Sequence, residues 1–159
     1  MRALELTIRP ALTTDAQSVG NLAQQFAGYL RSLGDQSELN LNAGRYLRGG
    51  FGPRPAFAGL VAEANGNVIG YLLYHLGYDS DAAAVNLHIV DLYVDVKARK
   101  QGAGKALMSK VASIAREVGA REMIWSVYHA NKIATKFYEN LGAQRISDVF
   151  FMKLRVDAL

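Results

Sequence analysis

Apolar and polar residues alternate along several short segments, which is the pattern of strands with one buried face. Leu4–Arg9 shows it first, and two further apolar segments, Ala56–Ala64 and Val68–Tyr78, flank the dipeptide Asn65-Gly66. Asn and Gly both tolerate positive φ, so this dipeptide predicts a tight hairpin between the two strands. Asn86–Val96 is a longer segment rich in Ile, Val, Leu and Tyr, and it predicts the central strand of a sheet.

Other segments carry apolar residues three or four positions apart, the spacing of one helical face. They are Val19–Leu33, Leu107–Val118 and Asn131–Leu141. Asp35–Gly52 has a weaker pattern, which predicts a short helix followed by a Gly-rich loop. Met123–Tyr128 and Gln144–Val156 predict two closing strands, the second of them bent.

Strands that alternate with helices, together with a clear hairpin, predict an α/β fold of the mixed α+β kind. We expect a mixed, mostly antiparallel twisted sheet with helices on both faces. The chain has 159 residues, half of them hydrophobic and a fifth charged. A chain of this length without repeats or linkers is expected to form a single domain, residues 1–159.

Composition excludes several classes of protein. The chain has no Cys, so it has neither disulfides nor a thiol nucleophile. No apolar segment approaches the ~20 residues of a membrane span, and the N-terminus lacks the apolar core of a signal peptide. The net charge of +4 is modest, and no basic stripe with stacking aromatics indicates nucleic-acid binding. We therefore expect a cytoplasmic protein that binds neither nucleic acid nor membrane, and we expect no metal.

A turn rich in glycine and basic residues, Arg99–Lys105, joins the predicted central strand to the helix after it. Free N–H groups and the helix dipole at such a helix N-terminus favour an anion, most often a phosphate. A Walker A loop is excluded, because Ala106 follows Lys105 where Ser or Thr is needed and Arg99 stands where the first Gly is needed. A dinucleotide fingerprint is disfavoured, because Leu107 replaces its third Gly.

The remaining pattern, Arg-x-x-Gly-x-Gly over Arg99–Gly104, resembles the acetyl-CoA-binding motif of the GNAT superfamily of N-acetyltransferases. Asn131–Ala143 resembles the second motif of that family, an Asn followed by Phe-Tyr and then Leu-Gly-Ala, and Ile8–Ala11 is similar to its usual opening. Phe51–Pro55 is similar to a segment of the diamine and polyamine acetyltransferase branch. These matches span nearly the whole chain.

The resemblance implies acetyl-CoA as co-substrate and a sheet that splays open at the central strand. The backbone after Asp91 would then pair with the pantetheine arm like an added strand. It also implies that Asp35–Gly52 covers the acceptor site and that the protein forms a homodimer. The residues implied to bind the cofactor are Leu92, Tyr93, Val94, Val96, Arg99, Lys100, Gln101, Gly102, Ala103, Gly104, Lys105, Asn131, Ala134 and Tyr138.

Acetyl transfer to an amine requires a general acid for the leaving thiolate and loss of the ammonium proton. Tyr138 is the candidate acid, because it lies seven residues after Asn131 on one helical face and its phenol keeps its proton at neutral pH. The base is less clear, because Val90 stands where the polyamine branch has a carboxylate. His88 shares the strand face of Val90, whereas Asp91 faces the other way unless a bulge turns it round. The sequence favours His88 over Asp91 or a mechanism without a base.

The sequence thus predicts an enzyme that moves the acetyl group to a primary amine of a small molecule by direct attack in a ternary complex. A diamine, a polyamine or an amino acid is the expected acceptor, and the exposed residues Asp79 and Asp81 could attract its positive charge. A protein or an aminoglycoside is the alternative acceptor. A non-catalytic acyl-CoA sensor is a further alternative, and the feature that favours it is Val90.

Overall fold

The computed structural model describes residues 5–158, which form one five-stranded sheet with four α-helices and three short 3-10 helices. The strands lie in the order β1-β2-β3-β4-β5, with bounds β1 Leu6–Pro10, β2 Ala58–Ala64, β3 Asn67–Asp79, β4 Ala84–Val94 and β5 Met123–Ile124. The helices are α1 Ala16–Ser32, α2 Ala43–Gly50, α3 Ala103–Glu117 and α4 Lys132–Asn140. The expected mixed α/β fold is confirmed.

The first four strands form an antiparallel meander, and β5 joins β4 in parallel. The β2–β3 hairpin turns at Asn65 and Gly66, with φ of 50° and 77°, as the sequence predicts. The pairing of β4 with β5 is limited to two residue pairs, Leu87 with Met123 and His88 with Ile124. β5 ends at Ile124, and β4 continues beyond His88 with no strand of the described chain on that side, so the sheet is splayed at β4.

Helices cover both faces of the sheet. Helix α3 packs on one face over a core that includes Leu72, Leu87 and Leu107. Helices α1 and α2 pack on the other face, where apolar residues of both helices form a second core cluster with Val61 and Tyr71 of the sheet. These two apolar layers fix the position of β4, whose end feeds the turn into α3.

A β-bulge interrupts β4 at Val90. Asp91 pairs with Leu73 and Ile89 pairs with Tyr74, so Val90 is an extra residue between two regular pairs. Side chains alternate between the faces of a strand, and one extra residue reverses that alternation. As a result Ile89 packs in the α3 layer while Asp91 turns to the face of α1 and α2.

Several predicted boundaries are wrong. Residues 144–156 form no strand, since no neighbouring strand lies beside them in residues 5–158 to accept their backbone hydrogen bonds. Strand β5 ends at Ile124 instead of Tyr128. Gly49 and Gly50 lie in α2 rather than in a loop, and both positions require glycine because a Cβ at either would lie 2.6 Å from the Phe57 ring. Leu4, the predicted start of the first strand, falls outside the described residues.

Candidate active site

The separation of β4 from β5 opens a cleft of about 1120 Å³. Its walls come from the end of β4, the turn before α3, the segment after β5, helix α4, and the α1 end with the loop after it. Of the residues predicted to bind a cofactor, the cleft wall contains Leu92, Tyr93, Val94, Val96, Arg99, Lys100, Gly102, Ala103, Gly104, Lys105, Asn131, Ala134 and Tyr138. Gln101 lies outside this wall.

The exposed edge of β4 offers hydrogen-bonding groups to the cleft. The N–H of Asp95 donates to the carbonyl of Ile69 on β3 at 2.8 Å. The backbone N–H and C=O groups of successive residues point to alternate sides of a strand. The backbone groups of Tyr93 therefore also point to β3, whereas those of Leu92 and Val94 point to the opposite side. That side is the gap that β5 leaves open.

The N-terminus of α3 forms one end of the cleft. Gly102 is its N-cap residue with φ of 85°, and a Cβ at this position would have no atom within 4 Å. Gly102 therefore permits both the left-handed turn and a close approach by a ligand. Gly104 differs, because a Cβ there would lie 3.3 Å from the Phe137 ring. Its small size serves the contact between α3 and α4.

Arg99 lies across the middle of the cleft. Its guanidinium carbon is 5.3 Å from the ring centres of both Tyr29 and Tyr93, and its Nε donates to the carbonyl of Val94 at 3.1 Å. The Tyr29 hydroxyl donates to Oδ1 of Asn131 at 3.0 Å. Asn131 Oδ1 also caps α4 by accepting from the N–H of Ala134. This chain of contacts links α1 to α4 over the cleft.

Asp91 is the carboxylate that the bulge turns into the cleft. Its Oδ2 accepts a hydrogen bond of 2.8 Å from the Tyr71 hydroxyl. Its other oxygen, Oδ1, accepts no hydrogen bond from a described side chain. Among residues 5–158, every fully buried side-chain oxygen has a hydrogen-bond partner, so Oδ1 is not fully buried and is accessible from the cleft. Burial raises the pKa of the Asp91 carboxyl to about 6, and the Tyr71 hydrogen bond partly opposes that rise.

Tyr138 faces the same cleft from α4. Its ring packs against Trp125 and Phe137, with centroid distances of 4.9 and 5.1 Å. Burial is the main cause that raises the pKa of the Tyr138 phenol to about 12, and the charge of the nearby Asp91 carboxylate is the second cause. The phenol therefore holds its proton at neutral pH, opposite a carboxylate that gives up its own near pH 6.

His88 does not line the cleft. It pairs with His75 across β3 and β4, and the two rings stack at 4.8 Å with 9° between their planes. Burial and the neighbouring His75 both lower the pKa of His88. The placement of His88 therefore does not support the preference for it as the base, because its ring packs on His75 instead of entering the cleft.

The far end of the cleft is formed by the α1 end and the loop to α2, including Asp35, Ser37 and Leu39. Asp79 and Asp81 lie elsewhere, at the tip of the β3–β4 hairpin. The Asp79 carboxylate accepts the N–H of Asp81 at 2.9 Å and so stabilises its own turn. These two aspartates are therefore not positioned at the cleft.

Some cleft residues could not be found by sequence reasoning. Tyr29, Asp35 and Trp125 belong to no recognised motif, and the bulge that selects Asp91 has no sequence signal beyond Val90 itself. Among residues 5–158, no helix is long and apolar enough to cross a membrane. The same residues contain no group of three His, Asp or Glu side chains that could hold a metal ion.

Comparison with known proteins gives consistent matches. The acetyltransferase (GNAT) family matches residues 22–143. A thialysine N-epsilon-acetyltransferase of Bos taurus is 34% identical over 89% of this chain and 85% of its own length. An L-ornithine N5-acetyltransferase of Arabidopsis thaliana is 34% identical over 58% of this chain and 40% of its own.

The fold has close structural neighbours as well. An aminoglycoside N-acetyltransferase, AAC(6')-Iy, solved in complex with CoA, superposes with a TM-score of 0.76 at 21% identity and covers 97% of each chain. At this identity the likeness concerns the fold. The family match spans most of the sequence, and a relative above 30% identity spans most of both chains. The chain therefore belongs to the GNAT family and is an acetyltransferase.

Proposed function

We propose that this acetyltransferase transfers the acetyl group of acetyl-CoA to a primary amine of a small molecule by direct attack in a ternary complex. The observation that carries the proposal is the meeting of Asp91 and Tyr138 in one cleft, with a carboxyl pKa of about 6 and a phenol pKa of about 12. Two groups whose environments separate their pKa values in this way suit a base and an acid at neutral pH.

The cleft fits acetyl-CoA at both of its ends. The open space at Gly102 and the side chains of Lys100 and Lys105 suit a pyrophosphate at the N-terminus of α3. The backbone groups of Leu92 and the N–H of Val94 suit the amides of an extended arm, while the Val94 carbonyl already accepts from Arg99. When bound, acetyl-CoA supplies an acetyl group on a thioester whose thiolate can leave.

Asp91 is the proposed base. The acceptor arrives as an ammonium, since an alkylamine has a pKa of ~10.4, and it cannot attack until it loses a proton. Oδ2 of Asp91 is held by Tyr71, while Oδ1 contacts the cleft and can take that proton. The freed amine nitrogen then bonds to the carbonyl carbon, and as the amide forms this nitrogen loses a second proton, which can restore the Tyr138 phenol after its own proton has gone to the leaving sulfur.

Tyr138 is the proposed acid. As the carbon–sulfur bond breaks, the sulfur carries a negative charge, and the Tyr138 hydroxyl can donate its proton to it. The contacts with Trp125 and Phe137 fix the ring in the cleft wall. The buried phenolate that results is unfavourable, so it regains a proton readily before the next cycle.

An amino acid with a side-chain amine, or a diamine, is the proposed acceptor. The two relatives above are named for the Nε amine of thialysine and the N5 amine of ornithine. In this chain the acceptor end of the cleft contains the carboxylate of Asp35, which would attract a second cationic group. Asp35 thus replaces Asp79 and Asp81 in that role. The sensor alternative is disfavoured, because Asp91 supplies the carboxylate that Val90 lacks.

The test is an assay of free thiol and acetylated amine with acetyl-CoA and a panel of ornithine, thialysine, diamines, an aminoglycoside and a peptide. We expect thiol release that depends on a small primary amine, with one acetylated amine formed per thiol. Asp91→Asn and Tyr138→Phe should each lower kcat by ~10²-fold with little change in acetyl-CoA affinity. Slow thiol release that no amine stimulates would contradict the proposal.

A homodimer is the proposed assembly, formed through residues 144–158, which we name the C-terminal arm. Phe150, Met152 and Val156 are 83, 87 and 96% exposed, which is unusual for large apolar side chains. In an extended segment Phe150 and Met152 share one face, because side chains two apart point the same way, and Val156 begins the short 3-10 helix that follows. In residues 5–158, one edge of β5 has no strand beside it, so the arm of a second copy could pair there. A cytoplasmic location also stays a prediction from the sequence, which cell fractionation would test.

A further inference from the structure

Asp91 owes its position to two features, the bulge at Val90 and the side chain of Tyr71. Tyr71 lies on β3 opposite Tyr93 and diagonally across from Asp91, on the same face of the sheet. Its side chain is completely buried, and its hydroxyl donates to Oδ2 of Asp91 at 2.8 Å. We propose that Tyr71 is a positioning residue, which fixes Asp91 so that Oδ1 alone is presented to the acceptor amine. This inference rests on the proposed function of Asp91.

The packing around Tyr71 leaves its ring little freedom. Tyr71 belongs to the apolar layer beneath α1 and α2, with Val61, Leu73 and Tyr93. A buried ring in such a layer cannot rotate its hydroxyl away without opening a cavity. The only polar group that the described structure gives this hydroxyl is the Asp91 carboxylate. A Phe ring would fill the same layer, so the hydroxyl serves Asp91 and not the packing.

The hydrogen bond has a chemical consequence as well as a geometric one. A donor to the ionised carboxylate favours the charged form, so Tyr71 moderates the rise that burial causes in the pKa of Asp91. In return, burial and the neighbouring carboxylate raise the pKa of the Tyr71 phenol, which stays protonated and cannot become the base itself. Tyr71 therefore favours the ionised form of Asp91.

Other polar groups near Asp91 do not replace this contact. The titratable and charged side chains that share its cleft are Tyr93 on β4, Tyr138 on α4, Tyr29 and Asp35 at the α1 end, Tyr128 after β5, and Arg99, Lys100 and Lys105 around the start of α3. Arg99 is held between two tyrosine rings and donates to a backbone carbonyl. The direct donor to the Asp91 carboxylate in the described residues is Tyr71.

The experiment compares Tyr71→Phe with Tyr46→Phe. Tyr46 is a matched control, since it is also completely buried in the same layer and its hydroxyl donates to the carbonyl of Leu12 at 3.0 Å, away from the cleft. For Tyr71→Phe we expect the acidic limb of kcat/KM to move upward by about one pH unit, and kcat to fall about tenfold. For Tyr46→Phe we expect the pH profile of the parent, although both variants lose stability.

A second measurement keeps the inference testable if Tyr71→Phe does not fold. Fluorotyrosine at position 71 retains the hydroxyl, makes it a stronger donor and should move the limb to lower pH. A carboxyl-carbon NMR titration of Asp91 in the protein without substrates should show the same directions. An unchanged limb in both Tyr71 variants, or an equal change in Tyr46→Phe, would overturn the inference.

The base itself is tested separately with Asp91→Asn. If Asp91→Asn keeps the acidic limb, the proposed function of Asp91 fails and the role of Tyr71 fails with it. If Asp91→Asn removes the limb while the Tyr71 variants leave it in place, only the positioning role is wrong. The two failures are therefore distinguishable.

Discussion

At the scale of single residues, the buried position of Asp91 lowers the stability of the folded protein when its carboxylate is charged. A carboxylate is most stable in water, and partial burial disfavours its charged form. Here burial raises the pKa of Asp91 to about 6, although the Tyr71 hydroxyl donates to it. Groups with such displaced pKa values are concentrated at functional sites, where reactivity matters more than stability.

The first prediction is that Asp91→Asn stabilises the protein above pH 6 while it lowers activity. The pKa of the Asp91 carboxyl in the folded protein, about 6, exceeds its ordinary value of 3.8. The contribution of this carboxyl to the stability of the fold is therefore fully present below pH 3.8 and is lost as the pH rises through 6. The whole difference corresponds to roughly 2–3 kcal/mol, at ~1.36 kcal/mol for each tenfold change in proton affinity. Asn keeps an oxygen that can accept from Tyr71.

The measurement is chemical unfolding of both proteins at pH 5 and pH 8. We expect the free energy of unfolding of the variant, relative to that of the parent, to be higher at pH 8 than at pH 5 by up to ~2 kcal/mol. A variant that is less stable than the parent by the same amount at both pH values would show that Asp91 does not titrate in this range.

At the scale of elements, the site depends on the separation of β4 and β5. Two residue pairs hold the strands together, and beyond His88 the edge of β4 is free along the cleft. Helix α3 then begins at Gly102, where its N-terminus faces the same space. The free strand edge and the helix end are thus two parts of the proposed binding surface.

Sequence patterns predict some of these elements well and others poorly. The hairpin at Asn65-Gly66 and the helix after Gly102 follow from local chemistry, namely positive φ and helical apolar spacing. The bulge at Val90 does not, since it depends on how β4 registers with β3. For that reason the sequence favours His88, because regular alternation of side chains along the strand would place His88 on the face of Val90 and Asp91 on the opposite face. The contact of Tyr71 with Asp91 joins residues 20 positions apart and has no local signal.

The second prediction concerns Gly102 at the start of α3. Gly102→Asp should weaken acetyl-CoA binding at least tenfold, ~1.4 kcal/mol, because it places a negative side chain at the proposed pyrophosphate site. Gly119→Asp is the matched control, because Gly119 also has a positive φ, 75°, and open space around an added Cβ, yet it lies at the opposite end of α3.

Calorimetric titration of both variants with acetyl-CoA gives the comparison. Both carry the same backbone strain, so a difference between them reports the location of the charge and not the strain. Equal affinities in two folded variants would remove the phosphate site from the α3 N-terminus.

At the scale of the whole molecule, the C-terminal arm is a segment whose backbone pairs with no strand and whose apolar side chains are exposed within the described chain. The sequence pattern of residues 144–156 is that of a strand, yet these residues pair with no strand of the described chain. Their large apolar side chains contact solvent. A strand pattern without a partner strand in the same chain is satisfied most simply by a second copy.

The third prediction is that the double variant Phe150→Asp, Met152→Asp shifts the protein from dimer to monomer. Charges on the apolar face of the arm would oppose its burial against a second copy. Leu12→Asp is the control, because Leu12 is also an exposed apolar residue, 51% accessible, at a position far from the arm in sequence. Light scattering over a range of concentrations measures the mass. A parent protein that is monomeric throughout would contradict the proposed dimer.

The most direct test of the account is the pH dependence of kcat/KM for a primary amine, measured for the parent, Asp91→Asn and His88→Gln. The account predicts that the parent has an acidic limb near pH 6, that Asp91→Asn loses this limb and ~10² in rate, and that His88→Gln keeps both. A parent profile that rises without a break toward the amine's own pKa of ~10.4 would contradict it. A limb that disappears in His88→Gln and persists in Asp91→Asn would contradict it as well.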